Sequence, residues 1–303
     1  MHIQYLTNED FLTKTNTVLA LGFFDGMHTA HRALLHQTIE LAKQKTCQSA
    51  MMTFDTHILS YIKRTPFSYL TSLNDKITVA EEMGFDRVYI LQVTDALISM
   101  EPQVFIHQFL ESMNHVVVGF DFTFGKRGLG TVADLKKNNH FETTIIGELT
   151  YYHRKIGSTR IREALSEGKV SLANHLLGRP YQIIGKVIKG KGRGKHLGFP
   201  TANIDYQGYL LPKAGVYLAY VVIDQRIHQG LINVGDNPTF RDEAITLEIY
   251  IMDFDGFLYG QVLTLQFLQF LRDEWTFASK DDLIEQMKQD EIQARQLFKE
   301  MKV

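Results

Sequence analysis

Two histidines three positions apart, His28 and His31, lie in the stretch LGFFDGMHTAHRALL (Leu21–Leu35). An apolar run precedes them and a helical pattern follows, which puts them at a strand-to-helix turn. Gly22 and Gly26 flank Phe23-Phe24-Asp25 and permit a tight backbone path. A helix beginning near Thr29 offers N–H groups and a positive dipole end to an anion. Imidazoles at that point are placed to neutralise charge on a phosphate or on departing pyrophosphate. The rival readings are metal ligands and satisfied core histidines. Zinc usually takes a third ligand and histidines four apart on a helix. The spacing of three, with no glutamate before His31, counts against it. Either histidine alone would read as structural, whereas the pair in a glycine-flanked turn favours phosphate.

GSTRIREAL (Gly157–Leu165) is a second candidate. Ser158 or Thr159 can cap a helix whose first amides meet phosphate, and Arg160 and Arg162 add positive charge. Taken alone it is equally a capped surface helix. VGFDFTFGKRGLG (Val118–Gly130) runs a strand into a glycine-rich loop with Lys126 and Arg127, which by itself is a weak signal.

The richest stretch is GKVIKGKGRGKHLGFPTANI (Gly185–Ile204). Gly190, Gly192, Gly194 and Gly198 alternate with Lys191, Arg193, Lys195 and His196. A basic glycine-rich loop lets backbone amides and cations both approach a triphosphate. It is no Walker A loop, because the spacing differs and no Ser or Thr follows Lys195. In the PTAN that follows, Thr201 and Asn203 share one face of a strand. Both present oxygen atoms, the donors that Mg²⁺ takes beside ATP phosphates. Glu248 in TLEIYIMDF shares a strand face with Thr246 and Tyr250. Beside magnesium and ATP it is placed to accept the proton of an attacking hydroxyl. Two polar residues and a carboxylate on a solvated strand face is the plain alternative.

These residues need scaffolds. Thr17–Phe24, Ser49–Phe54, RVYILQV, HVVVGFDF and TTIIGEL read as apolar strands that alternate with helical segments. The helices include LNDKITVAEEMGF, with Gly84 at its C-terminal cap, EPQVFIHQFLES and TVADLKKNNH. That alternation predicts a parallel sheet covered on both faces. After a helical pair, STRIREALSEG and VSLANHLLG, the pattern changes at RPYQ. From Gln182 to about Leu268 the chain reads as closely spaced strands and turns, a small antiparallel barrel. Ser279 is the expected N-cap of a final helix, with Asp282 at its third position. Leu283, Met287, Ala294 and Phe298 form the stripe that should pack on the barrel. The expected domains are 1–180 and 181–303.

With 303 residues, 45% of them hydrophobic, there is material for two cores. A net charge of −2 argues against a nucleic-acid partner. The N-terminus lacks the charge and apolar pattern of a signal peptide, and no apolar stretch approaches membrane-spanning length. Cys47 stands alone, so no disulfide forms within the chain, which suits a reducing cytosol, and it reads as a small core residue.

Taken together, the motifs resemble those of bacterial bifunctional riboflavin kinase/FAD synthetases. Gly22, Phe24, Asp25, Gly26, His28 and His31 match G-x-F-D-G-x-H-x-G-H. Ser158, Thr159 and Arg162 match the family's Ser-Thr-Arg motif, and Asp121, Phe122, Phe124 and Gly125 match D-F-x-F-G. Gly198–Asn203 repeats G-F-P-T-A-N unchanged, and NVGDNPTF, DFDGFLYG and LRDEWTF match further segments in order.

The resemblance implies a Rossmann-like nucleotidyltransferase domain followed by a six-stranded riboflavin-kinase-like barrel with a C-terminal helix. It implies two ATP-dependent steps, riboflavin to FMN and FMN to FAD with release of pyrophosphate. His28, His31 and Arg162 would act on phosphates during adenylyl transfer. Gly22, Asp25, Gly26, Ser158 and Thr159, with Gly190, Gly192, Gly194, Lys195 and Gly198 in the second domain, would line the ATP sites. Phe54, His57, Asp121 and Arg272 would lie beside flavin, Thr201 and Asn203 on Mg²⁺-ATP, and Glu248 would be the base for the riboflavin 5′-hydroxyl. Riboflavin, FMN and ATP are the expected partners, with no nucleic acid or membrane; weak self-association stays open.

Three positions depart from the pattern. Ala30 replaces the glycine between the histidines, and Thr56 and Ile58 replace both prolines of T-F-x-P-H-P. They keep open a kinase-only enzyme with a degenerate first domain. A flavin- or nucleotide-binding regulator without turnover is the rival from another class, against which Thr201, Asn203 and Glu248 argue. Tyr250, where the family often has histidine, is a further difference.

Overall fold

Why the apolar runs alternate with helices is plain in the computed structural model, which describes residues 1–190, 198–235 and 245–301. Contacts divide the chain into two units, Met1–Ser158 and Thr159–Val303. The sequence reading ends the first domain at 180, after the helical pair.

In the first unit the strands are β1 (His2–Leu6), β2 (Thr17–Leu21), β3 (Gln48–Phe54), β4 (Arg87–Leu91), β5 (His115–Gly119) and β8 (Glu142–Ile146). They form one parallel sheet in the order β1-β4-β3-β2-β5-β8. Two-residue strands β6 (Thr123–Phe124) and β7 (Gly130–Thr131) pair with each other, as do β9 (Thr150–Tyr151) and β10 (Arg154–Lys155). The helices are α1 (Thr29–Gln44), α2 (Ile58–Lys63), α3 (Leu73–Glu82), α4 (Asp95–Ser99), α5 (Pro102–Phe105) and α6 (Val132–Lys137).

The strands are apolar on both faces because both are covered. Val18, Ala20, Met51, Val88, Ile90 and Val117 pack with Leu34, Leu35 and Ile39 of α1 and Ala80 of α3. Their neighbours in the strands, Leu19, Leu21, Met52, Leu91, Val116 and Val118, face Phe105, Phe109 and Leu135 on the other side. The expected single helix EPQVFIHQFLES is α5 continued by a π-type turn, Ile106–Leu110. β1, unassigned in the sequence reading, is an edge strand with Ile3 and Tyr5 exposed. Cys47 is corrected: it is half-buried at the rim of the core, its Sγ 3.0 Å from Asn16 Oδ1.

Successive strands run outward in both directions from β2, so the sheet order reverses there. The carboxyl end of such a strand opens a crevice where ligands bind in open α/β sheets.

The second unit starts with α7, which opens at Ser158 and runs to Ser166, and α8 (Val170–Leu177). Its barrel strands are β11 (Tyr181–Ile188), β12 (Thr201–Asp205), β13 (Gly215–Ile223), β14 (Arg226–Gly235), β15 (Thr246–Ile251) and β16 (Val262–Arg272). They close antiparallel in the order β11-β12-β15-β14-β13-β16. Asn174 of α8 donates to the carbonyl of Phe267 (2.8 Å) and accepts from the amide of Tyr181 (2.7 Å), tying the helical pair to the barrel. The final helix, α9 (Lys280–Glu300), carries the expected Ser279–Asp282 capping box. Its Ala294 and Phe298 bury against Val216, Leu218 and Leu231, while Leu283 and Met287 are only half-buried.

Candidate active sites

After β2 the chain turns through 22–28 into α1. Phe24, Gly26 and Met27 have positive φ values of 55°, 86° and 44°. Glycine adopts this freely, but for Phe24 and Met27 it stores roughly 1–3 kcal/mol each. Burial of both side chains holds the contortion in place. It also separates the two phenylalanines. Phe24 enters the α1-side core, while Phe23 joins a cluster with His57, Phe67 and Tyr69.

Asp25 is the joint of this turn. Its buried Oδ1 accepts from the amides of Leu70 (2.9 Å) and Thr71 (3.3 Å), and its carbonyl accepts from Ser158 Oγ (2.8 Å). The carboxylate therefore fixes the segment leading into α3. That helix begins at once, with a capping box between Ser72 and Asp75.

His28 is the N-cap of α1. Its Nδ1 accepts the backbone N–H of His31 at 3.2 Å. An amide can only donate, so neutral His28 carries its ring proton on Nε2. The two imidazoles stack at 3.6 Å, and His31 meets Phe24 edge-on at 5.3 Å. His31 Nδ1 is buried without a hydrogen-bond partner among the described residues. Desolvation first, then charge at His28, Lys76 and Lys155, holds the His31 pKa well below its ordinary value. Burial thus disfavours the protonated His31 ring, and nearby cationic charge comes from Lys76 and Lys155. α1 has no acidic residue in its first turn to offset its dipole. Among the described residues no group of three or more His, Cys, Asp or Glu could hold a metal ion.

His57 stacks on Phe67 at 4.0 Å and 3° between planes, with Phe23 edge-on at 4.9 Å. Phe54 lies in the core, 7% exposed. Ile58 is the first residue of α2, a position that also suits proline, and Thr56 is half-buried just before it. Asp121 is exposed and pairs with Lys155 of β10, and Lys126 pairs with Glu101 at 2.9 Å. In the second unit, Thr159 is exposed, Arg160 buried and Arg162 half-buried on α7.

The barrel brings its candidates together through register. Asn203 pairs with Glu248, and Glu248 pairs with Asn233 on its other side, giving one row across β12, β15 and β14. Directly opposed residues point to the same face. Thr201 Oγ1 donates to Glu248 Oε2 at 3.2 Å. Four side chains thus present a hydroxyl, two amides and a carboxylate within one patch. Gly190 packs so closely on the Asn203 amide that a Cβ there would overlap it. Gly198 has φ +82°. Gly192, Gly194 and Lys195 lie outside the described residues, as do Lys191, Arg193 and His196.

Two residues of this patch, Asn233 and Glu274, went unassigned in the sequence, although both lie in motif segments. Asn233 Nδ2 reaches Glu274 Oε1 at 3.5 Å, and the Glu274 carboxylate lies against Gly235. Tyr250 donates from its hydroxyl to Glu291 of α9 (3.3 Å), and Phe199 packs edge-on against its ring. Burial, then the Glu291 charge, raises the Tyr250 pKa. Arg272 is engaged by buried Asp290, with contacts of 2.6–3.1 Å, and its guanidinium sits 4.9 Å from the Trp275 ring. That pair anchors α9 to the end of β16.

Comparison with known proteins fits this division. Residues 11–160 match the FAD synthetase family model and residues 177–298 match that of riboflavin kinase. A bifunctional riboflavin kinase/FMN adenylyltransferase of Listeria monocytogenes is 40% identical over 98% of this chain and 98% of its own. The Bacillus subtilis enzyme of the same description is 34% identical over 99% and 98%, and that of Escherichia coli K12 32% over 93% and 92%. A crystal structure described as a macrolide-efflux protein from Streptococcus pneumoniae superposes with a TM-score of 0.87 at 30% identity, covering 97% of this chain and 99% of that one. Among the described residues here, no helix is long and apolar enough to cross a membrane.

Proposed function

The chain belongs to the bifunctional riboflavin kinase/FMN adenylyltransferases and carries both activities, and we propose how its residues divide the work. The chemical halves are 1–180 and 181–303. Ser158, Thr159 and Arg162 then fall in the adenylyl-transfer half.

In that half, an oxygen of the FMN phosphate forms a bond to the α-phosphorus of ATP. The bond to the bridging oxygen breaks, and pyrophosphate leaves with the electron pair. His28, through Nε2–H, and His31 donate hydrogen bonds to ATP phosphates, with Arg162 supplying charge. Gly22, Gly26, Ser158 and Thr159 shape the ATP site, and Asp25 acts by holding the turn. His57 and Asp121 flank the flavin, with Phe54 beneath. The half-buried ring stack at His57 supports that reading, because a planar flavin seats well against aromatic faces.

In the kinase half, Glu248 takes the proton as the riboflavin 5′-hydroxyl attacks the γ-phosphorus and ADP leaves. Thr201 and Asn203 present the neutral oxygen donors that suit a hard divalent cation, and Thr201 already hydrogen-bonds to the carboxylate beside it. Mg²⁺, when bound there, supplies charge neutralisation on the ATP phosphates. Gly190, Gly192, Gly194, Lys195 and Gly198 are assigned to those phosphates, and of these Gly190 and Gly198 lie among the described residues. Arg272 reaches the flavin side from its anchor on Asp290. The lone, half-buried Cys47 suits a cytoplasmic setting.

The observation that carries this assignment is the Asn203–Glu248–Asn233 row with Thr201 bonded to the same carboxylate. The test is product analysis with Mg²⁺ and ATP, once with riboflavin and once with FMN. FMN then FAD should appear from riboflavin, and FAD from FMN. Glu248→Ala should remove the first product and keep the second conversion. Equal loss of both would contradict the division.

A further inference from the structure

Lys76 is 1% exposed, and its ammonium is met by an aromatic ring. Its Nζ sits 3.8 Å from the centroid of Phe23. Phe23 belongs to the aromatic cluster with His57, Phe67 and Tyr69. The ammonium is also close enough to His31 to weigh on its titration. Lys76 is therefore near both the surface assigned to the flavin ring and the histidines assigned to ATP.

Burying an ammonium is costly. Here desolvation outweighs attraction to Asp25 and Asp75 and lowers the Lys76 pKa from 10.5 to about 8. A methionine of similar length would fill this position at lower cost. The helix that carries Lys76 is fixed to the turn by Asp25 through Leu70 and Thr71, and by the Ser72–Asp75 box. A costly cation held this firmly is preorganised for an anion that arrives later.

We propose that the Lys76 ammonium binds the FMN phosphate at the point where it meets the α-phosphorus of ATP. This rests on adenylyl transfer taking place in the half 1–180. Lys76 neither gives nor takes a proton: the phosphate oxygen forms the new P–O bond, and pyrophosphate leaves as before. Its role is to draw a dianion into a low-dielectric site and hold it for attack. The titratable groups around it are Asp25 from the turn, Asp75 from its own helix, and the His31 ring on α1. Lys155 is the second cation acting on that ring.

The test compares wild type, Lys76→Met and Lys76→Arg in steady-state FAD formation from FMN and ATP. Riboflavin kinase activity of the same chain and thermal melting are followed in parallel. For Lys76→Met the KM for FMN should rise at least about tenfold and kcat/KM for FMN fall by about 10²-fold, as expected for losing a charge-assisted contact to phosphate. The KM for ATP and the kinase activity should hold, and melting should be unchanged or higher. Lys76→Arg should recover part of the loss. Wild-type kcat/KM for FMN should decline as pH rises past about 8, where the ammonium deprotonates, and that limb should vanish in Lys76→Met. FMN kinetics of Lys76→Met within about twofold of wild type would overturn the proposal, as would a loss that only tracks lowered melting and leaves the pH limb in place. If wild type itself formed no FAD from FMN, adenylyl transfer in this chain would fall, and the proposal with it.

Discussion

In the first unit the groups assigned to ATP hang from a contorted turn and a helix end; in the second they stand on adjacent barrel strands. The turn is held by a few ties between side chain and backbone: Asp25 to Leu70 and Thr71, Ser158 to Asp25, and His28 to His31. The barrel row of Asn203, Glu248 and Asn233 is held by the ladder itself. On that assignment, two kinds of construction serve the same co-substrate. In the barrel, a side chain can be changed without moving its neighbours, so variants there report chemistry. In the turn, the groups assigned to substrate also hold the backbone, so variants report chemistry and position together. A residue that caps with one nitrogen and serves substrate with the other, as His28 is placed to do, has no counterpart in the barrel patch.

The largest effect is expected where that separation is cleanest. Glu248→Gln keeps shape and ladder and removes the base, so riboflavin phosphorylation should fall about 10³-fold with melting unchanged. Initial rates and a thermal scan check it; a lowered melting point would show that the barrel site is not independent of its scaffold. Next comes His28. His28→Ala should lower FAD formation on the order of 10²-fold and also cost about 1 kcal/mol of stability through the lost cap. His28→Asn separates the two roles, since asparagine caps well but lacks the Nε2–H donor. Stability should return while activity does not.

A smaller effect concerns acid. The folded pKa of His31 is depressed, so between that value and the ordinary 6.5 the unfolded chain binds more protons. Its contribution is complete above pH 6.5 and is lost as pH falls below it. The wild-type melting point should therefore drop more steeply from pH 7 to 5 than that of His31→Phe, read by differential scanning; parallel curves would remove the burial argument. The smallest is Ala30→Gly at the second position of α1. Deleting one methyl group should raise FAD formation by less than about tenfold, at a helix cost below about 1 kcal/mol. No change would mean that Ala30 does not crowd the nucleotide.

Much of this architecture is legible in the sequence for physical reasons. Continuous apolar strands alternating with helices admit few solutions besides a doubly covered parallel sheet, and close-spaced alternating strands suggest a barrel. The family motifs name Thr201, Asn203 and Glu248, and strand period alone puts Thr201 and Asn203 on one face. What escapes is the part decided by tertiary packing. Lys76 in LNDKITVAEE looks like a solvated helix charge, because nothing local shows that Phe23 is swung over it by a positive φ at Phe24. Asp25 reads as a phosphate-site residue, and nothing local shows that Leu70 and Thr71, 45 and 46 positions away, are its donors. Arg272 reads as a flavin contact, and nothing local shows that its fork is also held by Asp290, on a helix that composition alone could not dock. Asn233 becomes visible only once β14 is known to lie beside β15.

The most direct test of two separate sites in one chain is complementation by mixing. Glu248→Gln and His28→Ala are each incubated with riboflavin, Mg²⁺ and ATP, then combined, and FMN and FAD are quantified by chromatography. Alone, the first variant should yield neither product and the second only FMN. Together they should form FAD, because FMN made by one chain is adenylylated by the other. A mixture that accumulates FMN without FAD, or makes neither, would contradict the account.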